Sequence, residues 1–340
     1  MTVAAPTQPT EPTDESVGTF RTADGVALRV AGSGGAPGPT LVLVHGWTQD
    51  LRTWDRVVDD LRAAGHHGRV VRYDHRGHGG SDSAPEGTAT LERLADDLAE
   101  LLAARVPDGP LVLAGHSMGG MALVALAERH PSLVAGRVAG IAFVATAADD
   151  MAELTLGLPG RRGRLVARLD HALAPWVAEL GNRAPRGRIG SGGTAPSRRS
   201  GKVRRRAAAL TPGTRALVFG RHPRAADVAS VAEQALAADP ASVVAFKDSI
   251  GEHHRRPALH ALRDTPAVVL VGDHDRLCPP RHARAIAAEL PDAELVLFPG
   301  AGHMLTYERD AEVTAHLRGL LASAAHAPVV AEPEADRVLA

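Results

Sequence analysis

Residues 115–119, Gly115-His116-Ser117-Met118-Gly119, spell G-x-S-x-G. They follow an apolar run, Leu111–Ala114, and precede a helical pattern that opens at Met118. A serine on such a strand-to-helix turn presents its hydroxyl, and glycines two positions to either side let strand and helix approach closely. The next helix aims its N-terminal amides and dipole at the same point, where negative charge is stabilised. Ser117 therefore reads as a nucleophile, with Gly115, His116 and Gly119 completing the elbow. Its hydroxyl needs a base to take the proton and an acid to orient that base. With a nucleophile of this kind the partners follow in the order Ser, acid, His. His303, in a glycine-rich turn after the run Glu294–Phe298, is placed to be the base. The acid should follow the preceding run, Ala267–Val271, which leads into Gly272-Asp273-His274-Asp275. Asp275 is favoured over Asp273 because its D-x-x-x-P spacing to Pro279 fixes the loop. Asp273 is then left to cap the turn.

An oxyanion formed at Ser117 needs backbone N–H donors. One is expected from Met118 and the second from Trp47, in the tight turn His45-Gly46-Trp47. The ring of His45 is read as organising that loop by hydrogen bonds.

Positioning these groups requires a sheet. Strands are predicted at Val26–Val30, Leu41–Val44, Val70–Tyr73, Leu111–Ala114, Ile141–Ala145, Ala267–Val271 and Glu294–Phe298. Several are apolar throughout, as strands covered on both faces must be. Helices are predicted at Thr53–Ala64, Leu91–Ala104, Met118–Arg129, Pro280–Leu290 and Ala311–Ser323. Alternating strands and helices imply a doubly wound α/β architecture. From about Ala147 to Thr265 the alternation stops, and an Arg-rich, helical stretch reads as a cap inserted above the sheet, residues 148–265, dividing a core of 19–147 and 266–324.

The ordered set His45-Gly46-Trp47, Asp74-His75-Arg76-Gly77-His78-Gly79-Gly80-Ser81-Asp82, the Ser117 elbow, Gly272 to Asp275 with Pro279, and Gly302-His303 resembles the α/β-hydrolase superfamily. The resemblance spans about Phe20 to Ser323, apart from most of the cap. It implies an eight-stranded, mostly parallel sheet with the triad on its carboxyl-edge loops, and a serine esterase or lipase that needs no cofactor. Thioesterases, carbon–carbon bond hydrolases and cofactor-free perhydrolases share the nucleophile and are alternatives, as is a non-catalytic binding protein of the same fold. Epoxide hydrolases and haloalkane dehalogenases carry aspartate where Ser117 stands, so their chemistry is excluded. The resemblance also assigns residues 74–82 to a turn beneath the site that holds the oxyanion loop.

Other classes fit poorly. The net charge of −1 makes no overall case for nucleic acid. The single cysteine, Cys278, cannot form an intrachain disulfide, the start of the chain lacks a secretory pattern, and no run of about 18 apolar residues spans a bilayer. A cytoplasmic protein acting on a small-molecule ester is expected. His66-His67 and His253-His254 are adjacent pairs without metal-ligand spacing, so no metal is expected. Gly32-Ser33-Gly34-Gly35 leads into a strand and not the helix a dinucleotide loop requires. Residues 1–18 and 325–340 read as disordered tails.

The charge is nevertheless uneven. Leu180 to Ala226 holds twelve Arg and Lys and no acidic residue, leaving 26 basic against 39 acidic residues elsewhere. A solvated cap on an acidic body explains this simply; attraction to anionic substrates or peripheral contact with anionic lipid is the sharper alternative. Arg186–Ser200 is expected to be disordered, and Leu165, Leu169, Leu173, Trp176, Val177, Leu180, Val228, Val231, Ala235, Val243, Val244 and Phe246 to supply apolar cap faces.

Overall fold

The computed structural model describes residues 15–151 and 200–326. Its strands are β1 (Ser16–Arg21), β2 (Ala27–Ser33), β3 (Ala36–Val44), β4 (Gly68–Tyr73), β5 (Leu111–His116), β6 (Val138–Val144), β7 (Ala267–Gly272) and β8 (Glu294–Phe298). They form one eight-stranded sheet in the order β1-β2-β4-β3-β5-β6-β7-β8. β2 pairs antiparallel with both β1 and β4, and every other pairing is parallel. The mostly parallel α/β sheet expected from the sequence is present.

Helices α1 (Asp55–Ala63) and α10 (Asp310–Ala324) cover one face, and α2 (Leu91–Arg105) and α3 (Met118–Arg129) the other. The strands are apolar on both sides for that reason. Leu41 and Leu43 pack with Val57, Leu61, Val313 and Leu317, whereas Val42 and Val44 pack with Leu94, Leu98 and Leu123. Fully burying one such leucine contributes on the order of 2 kcal/mol. On α2 the predicted stripe Leu91, Leu94, Ala95, Leu98, Leu101 and Leu102 is buried, and the Thr90 side chain accepts from Arg93 N to start the helix. A short α4 (Pro131–Arg137) opens on proline, whose missing N–H costs nothing in a first turn.

Between β6 and β7 the described residues form α5 (Ser200–Val218), α6 (Ala225–Ala237), α7 (Pro240–Gly251) and a 3-10 helix (Arg256–Leu262), with no strand among them. Proline at the first turn and Asp239, whose carboxylate accepts from Ser242 N, begin α7. Val228 and Val231 of α6 are buried against Phe219, Met304 and Tyr307, and Phe246 of α7 is buried too. Leu165 to Leu180 and most of Arg186–Ser200 lie outside the described residues. The chain then closes with α8 (Pro280–Glu289), α9 (Leu305–Glu308) and α10.

Two expectations are corrected. The arm drawn to residue 18 overruns a strand: β1 pairs from Ser16↔Gly32 to Arg21↔Ala27, and Glu15 accepts from Arg72 at 2.8 Å. Its side chains are nearly all exposed, so the backbone ladder holds it and no apolar pattern reveals it. Residues 1–14 and 327–340, the remainder of both predicted tails, lie outside the described residues. The helix expected at Thr53–Ala64 begins as a 3-10 turn, Leu51–Trp54, because Asp50 accepts from Arg52 N and closes a tighter turn there.

Candidate active site

The predicted elbow lies at the end of β5. Ser117 has φ 52° and ψ −120°, a backbone conformation that strains a residue with a side chain. Four contacts hold it there: Ser117 N donates to Val144 O at 2.9 Å, while Thr146 Oγ1, at 2.7 Å, Gly120 N, at 2.9 Å, and Met121 N, at 3.2 Å, donate to Ser117 O. The glycine at 119 is required sterically, since a Cβ there would lie 2.4 Å from Val44 O. The serine itself is half-exposed, and among the described residues its hydroxyl has no hydrogen-bond partner.

The loop after β8 returns His303 to this point. His116 Nε2 donates to His303 O at 2.9 Å, and the two rings lie 4.9 Å apart, so His303 sits beside the residue preceding the serine. His303 Nδ1 donates to Asp275 Oδ2 at 2.9 Å, with both side chains almost wholly buried. The other carboxylate oxygen, Oδ1, accepts from Leu277 N and Cys278 N, each at 2.9 Å. Asp275 thus fixes the imidazole and leaves Nε2 as its free nitrogen. Asp273 points elsewhere, accepting from Gly300 N at 2.7 Å and pairing with His274 at 2.5 Å.

The two expected oxyanion donors flank the serine. Met118 opens α3, and Trp47 follows Gly46, whose Cβ, if present, would lie 3.1 Å from Ser117 Cβ. Neither amide donates to any acceptor among the described residues. The Trp47 indole donates to Val243 O of α7 at 2.9 Å, fastening the loop to the inserted helices.

Residues 74–82 lie below that loop. Asp74 accepts from Leu51 N and Gly80 N, both at 2.7 Å, and burial raises its pKa to about 6. His45 Nε2 accepts from His75 N at 2.9 Å, so Nδ1 carries the proton and donates to Gly46 O at 2.8 Å. His78 likewise accepts from Thr48 N at 3.2 Å. Burial lowers His45 and His116 to about 3 and His78 to about 4, and it holds His75 well below the usual range. These four rings are neutral at pH 7 and organise the loops. Arg76 is fully buried and makes paired bonds to Asp97, both 2.7 Å, and to Asp24 at 2.9 and 3.1 Å.

Sequence reasoning missed the side chains that join the inserted helices to the site. Glu308 accepts from Gly220 N at 2.8 Å and Gly302 N at 3.0 Å, bracing the His303 loop against the end of α5. Its place five residues after His303 was the available signal. His303 N and Met304 N both donate to Val218 O, at 2.9 and 3.2 Å. Of the Arg-rich stretch, Arg221 and Arg224 line a cavity of about 420 Å³ with Arg309 and Gly300. Among the described residues no three His, Cys, Asp or Glu side chains converge as a metal site requires, and no helix is long and apolar enough to cross a membrane.

Comparison with known proteins agrees with this architecture. A pimeloyl-[acyl-carrier protein] methyl ester esterase from Aromatoleum aromaticum is 30% identical over 278 residues, covering 81% of this chain and 96% of that protein. A probable esterase from rice is 39% identical over 101 residues, and there the match spans only 38% of the rice protein. Among solved structures, a thermophilic esterase from Thermogutta terrifontis matches with a TM-score of 0.66 and 26% identity over 92% of this chain and 99% of that one. An enol-lactonase from Burkholderia xenovorans, at 24% identity and a TM-score of 0.65 over 90% of this chain and all of that one, shares the fold. The family model for serine aminopeptidase, S33 (Hydrolase_4), matches residues 35–310, a span that holds the Trp47 loop, the turn at Ser117, Asp275 and His303 alike. By that match the chain belongs to this family of α/β-hydrolases.

Proposed function

We propose that the chain hydrolyses carboxylic esters of small to medium size through an acyl-enzyme on Ser117. Ser117 Oγ attacks the ester carbonyl while His303 Nε2 takes its proton, and the carbonyl oxygen becomes an oxyanion held by the amides of Trp47 and Met118. Collapse breaks the acyl–oxygen bond, and His303 returns the proton to the departing alcohol. Water then gives its proton to His303 and attacks the acyl carbon; a second collapse frees the acid and restores the Ser117 hydroxyl. Asp275 orients the ring and stabilises the imidazolium formed in each half-reaction.

The observation that carries this reading is the buried 2.9 Å pair between His303 and Asp275 beside a strained, half-exposed Ser117. The esterase names of the relatives support the substrate class. The test is a p-nitrophenyl ester series with a fluorophosphonate probe, and an aminoacyl p-nitroanilide tests the activity in the family's name. Ester turnover with labelling confined to Ser117 is expected. Folded protein that neither turns over an ester nor labels would sink the proposal.

A further inference from the structure

We propose that Gln234 is a positioning residue for this site: from inserted helix α6 its amide fixes the loop carrying Trp47 relative to the loop carrying His303. The inference rests on the hydrolase reading above. Gln234 is fully buried, on a helix whose other buried residues include Val228, Val231 and Ala232. A buried primary amide must match two N–H donors and two oxygen lone pairs. Its orientation here follows from chemistry, because Asp50 N can only donate. Oε1 therefore faces Asp50 N, at 3.1 Å, with Thr53 Oγ1 at 3.2 Å. Nε2 is left to donate to Tyr307 Oη at 2.7 Å and Ser230 Oγ at 3.2 Å. The Tyr307 hydroxyl in turn donates to Arg52 O at 3.3 Å, closing a ring between the two loops.

Both ends of this ring are close in sequence to the reacting groups. Asp50 is three residues beyond Trp47, in a turn where Gln49 N donates to Gly46 O at 3.2 Å. Tyr307 is four residues beyond His303, on α9, with Tyr307 N donating to Met304 O at 2.9 Å. An apolar side chain would fill this position on α6 without the need for four polar partners, and a satisfied buried network rigidifies what it joins. Oxyanion donors and base must keep their separation through both half-reactions, and a misplacement of about 1 Å costs on the order of 100-fold in rate.

The test compares Gln234→Leu, Tyr307→Phe and the double variant in the full chain. It reads steady-state ester kinetics, the rate of fluorophosphonate labelling, and hydrogen exchange in residues 46–53 and 303–309. Gln234→Leu should lower kcat and labelling about 10- to 100-fold with KM within about threefold. Tyr307→Phe should cost less, and the double variant no more than Gln234→Leu, because both act through one ring. Exchange should rise in both loops together. Unchanged labelling, or faster exchange confined to α6, would overturn the proposal. Should Gln234→Leu not fold, Tyr307→Phe decides by the same readouts. Wild-type protein that neither labels nor turns over tells against the hydrolase reading alone, and the exchange experiment still decides whether Gln234 joins the loops.

Discussion

His303 Nδ1 donates to Asp275 Oδ2 at 2.9 Å, while Asp273, two residues earlier, holds the amide of Gly300. One short loop thus gives two carboxylates separate tasks. Asp275→Asn should lower kcat by about 10⁴-fold by losing the charge and tautomer control that orient the imidazole. Asp273→Asn should leave kcat within about threefold and lower Tm slightly, since its bonds are to an exposed turn. Ester kinetics and melting curves on the pair decide between them.

Ser117 combines a positive φ with a hydroxyl that no described residue engages. Removing the hydroxyl should therefore abolish activity without unfolding the chain. Ser117→Ala should melt near the wild type, whereas Ser117→Gly, free of the Cβ, should relieve about 1 to 3 kcal/mol of strain. Both should be inactive, with the glycine variant melting higher. Equal melting temperatures for the two would refute the strain argument.

Stability should fall with acid. Burial lowers His45 and His116 to about 3 and His78 and His253 to about 4. A histidine depressed in the folded state contributes stability that is complete above its unfolded pKa and lost as pH drops toward its folded pKa. Between about pH 6.5 and 4 the unfolded chain binds more protons, so unfolding free energy should fall by about 1.4 kcal/mol per pH unit for each such histidine. Asp74, raised to about 6, works in the opposite direction and offsets roughly one of them. Urea unfolding at pH 7, 6 and 5 measures the slope, and a flat profile would contradict neutral burial of these rings.

Arg76 is fully buried between Asp97 and Asp24 and distant in role from the chemistry. Arg76→Ala leaves the Asp97 carboxylate buried with Arg93 as its remaining partner. The expected cost is about 3 to 5 kcal/mol of stability. Active-site titration should show that the folded fraction keeps kcat within about threefold. A large loss of kcat per titrated site would give Arg76 a part in the reaction.

Much of the sheet was legible because buried parallel strands leave apolar runs: all six residues of β7, Ala267–Gly272, are buried. β1 escaped notice since all of its side chains but Phe20 are exposed and the main-chain ladder to β2 supplies most of its bonds. Ser117, His303 and Asp275 could be singled out as candidates because each follows a strand with a turn of recognisable spacing. The choice between Asp273 and Asp275 is decided sterically by where the loop points each carboxylate. Gln234 and Glu308 were illegible for another reason. Gln234 meets Asp50 and Tyr307, far away in sequence, and a polar residue on an amphipathic helix reads as solvent-facing until the fold covers it; Glu308 lies near His303, but its bond to Gly220 crosses 88 residues.

β6 and β7 lie side by side in the sheet, and Ile141 N bonds to Pro266 O, so the inserted segment leaves and re-enters the sheet between neighbouring strands. Such an insertion can change length or be exchanged between proteins without shifting any strand's register. The carbonyl of Val218 limits that freedom, because it receives the amides of His303 and Met304. A graft that omitted an acceptor at this point would leave the sheet whole and the His303 loop unanchored. The segment is modular in its attachment to the chain but not in its contact with the His303 loop.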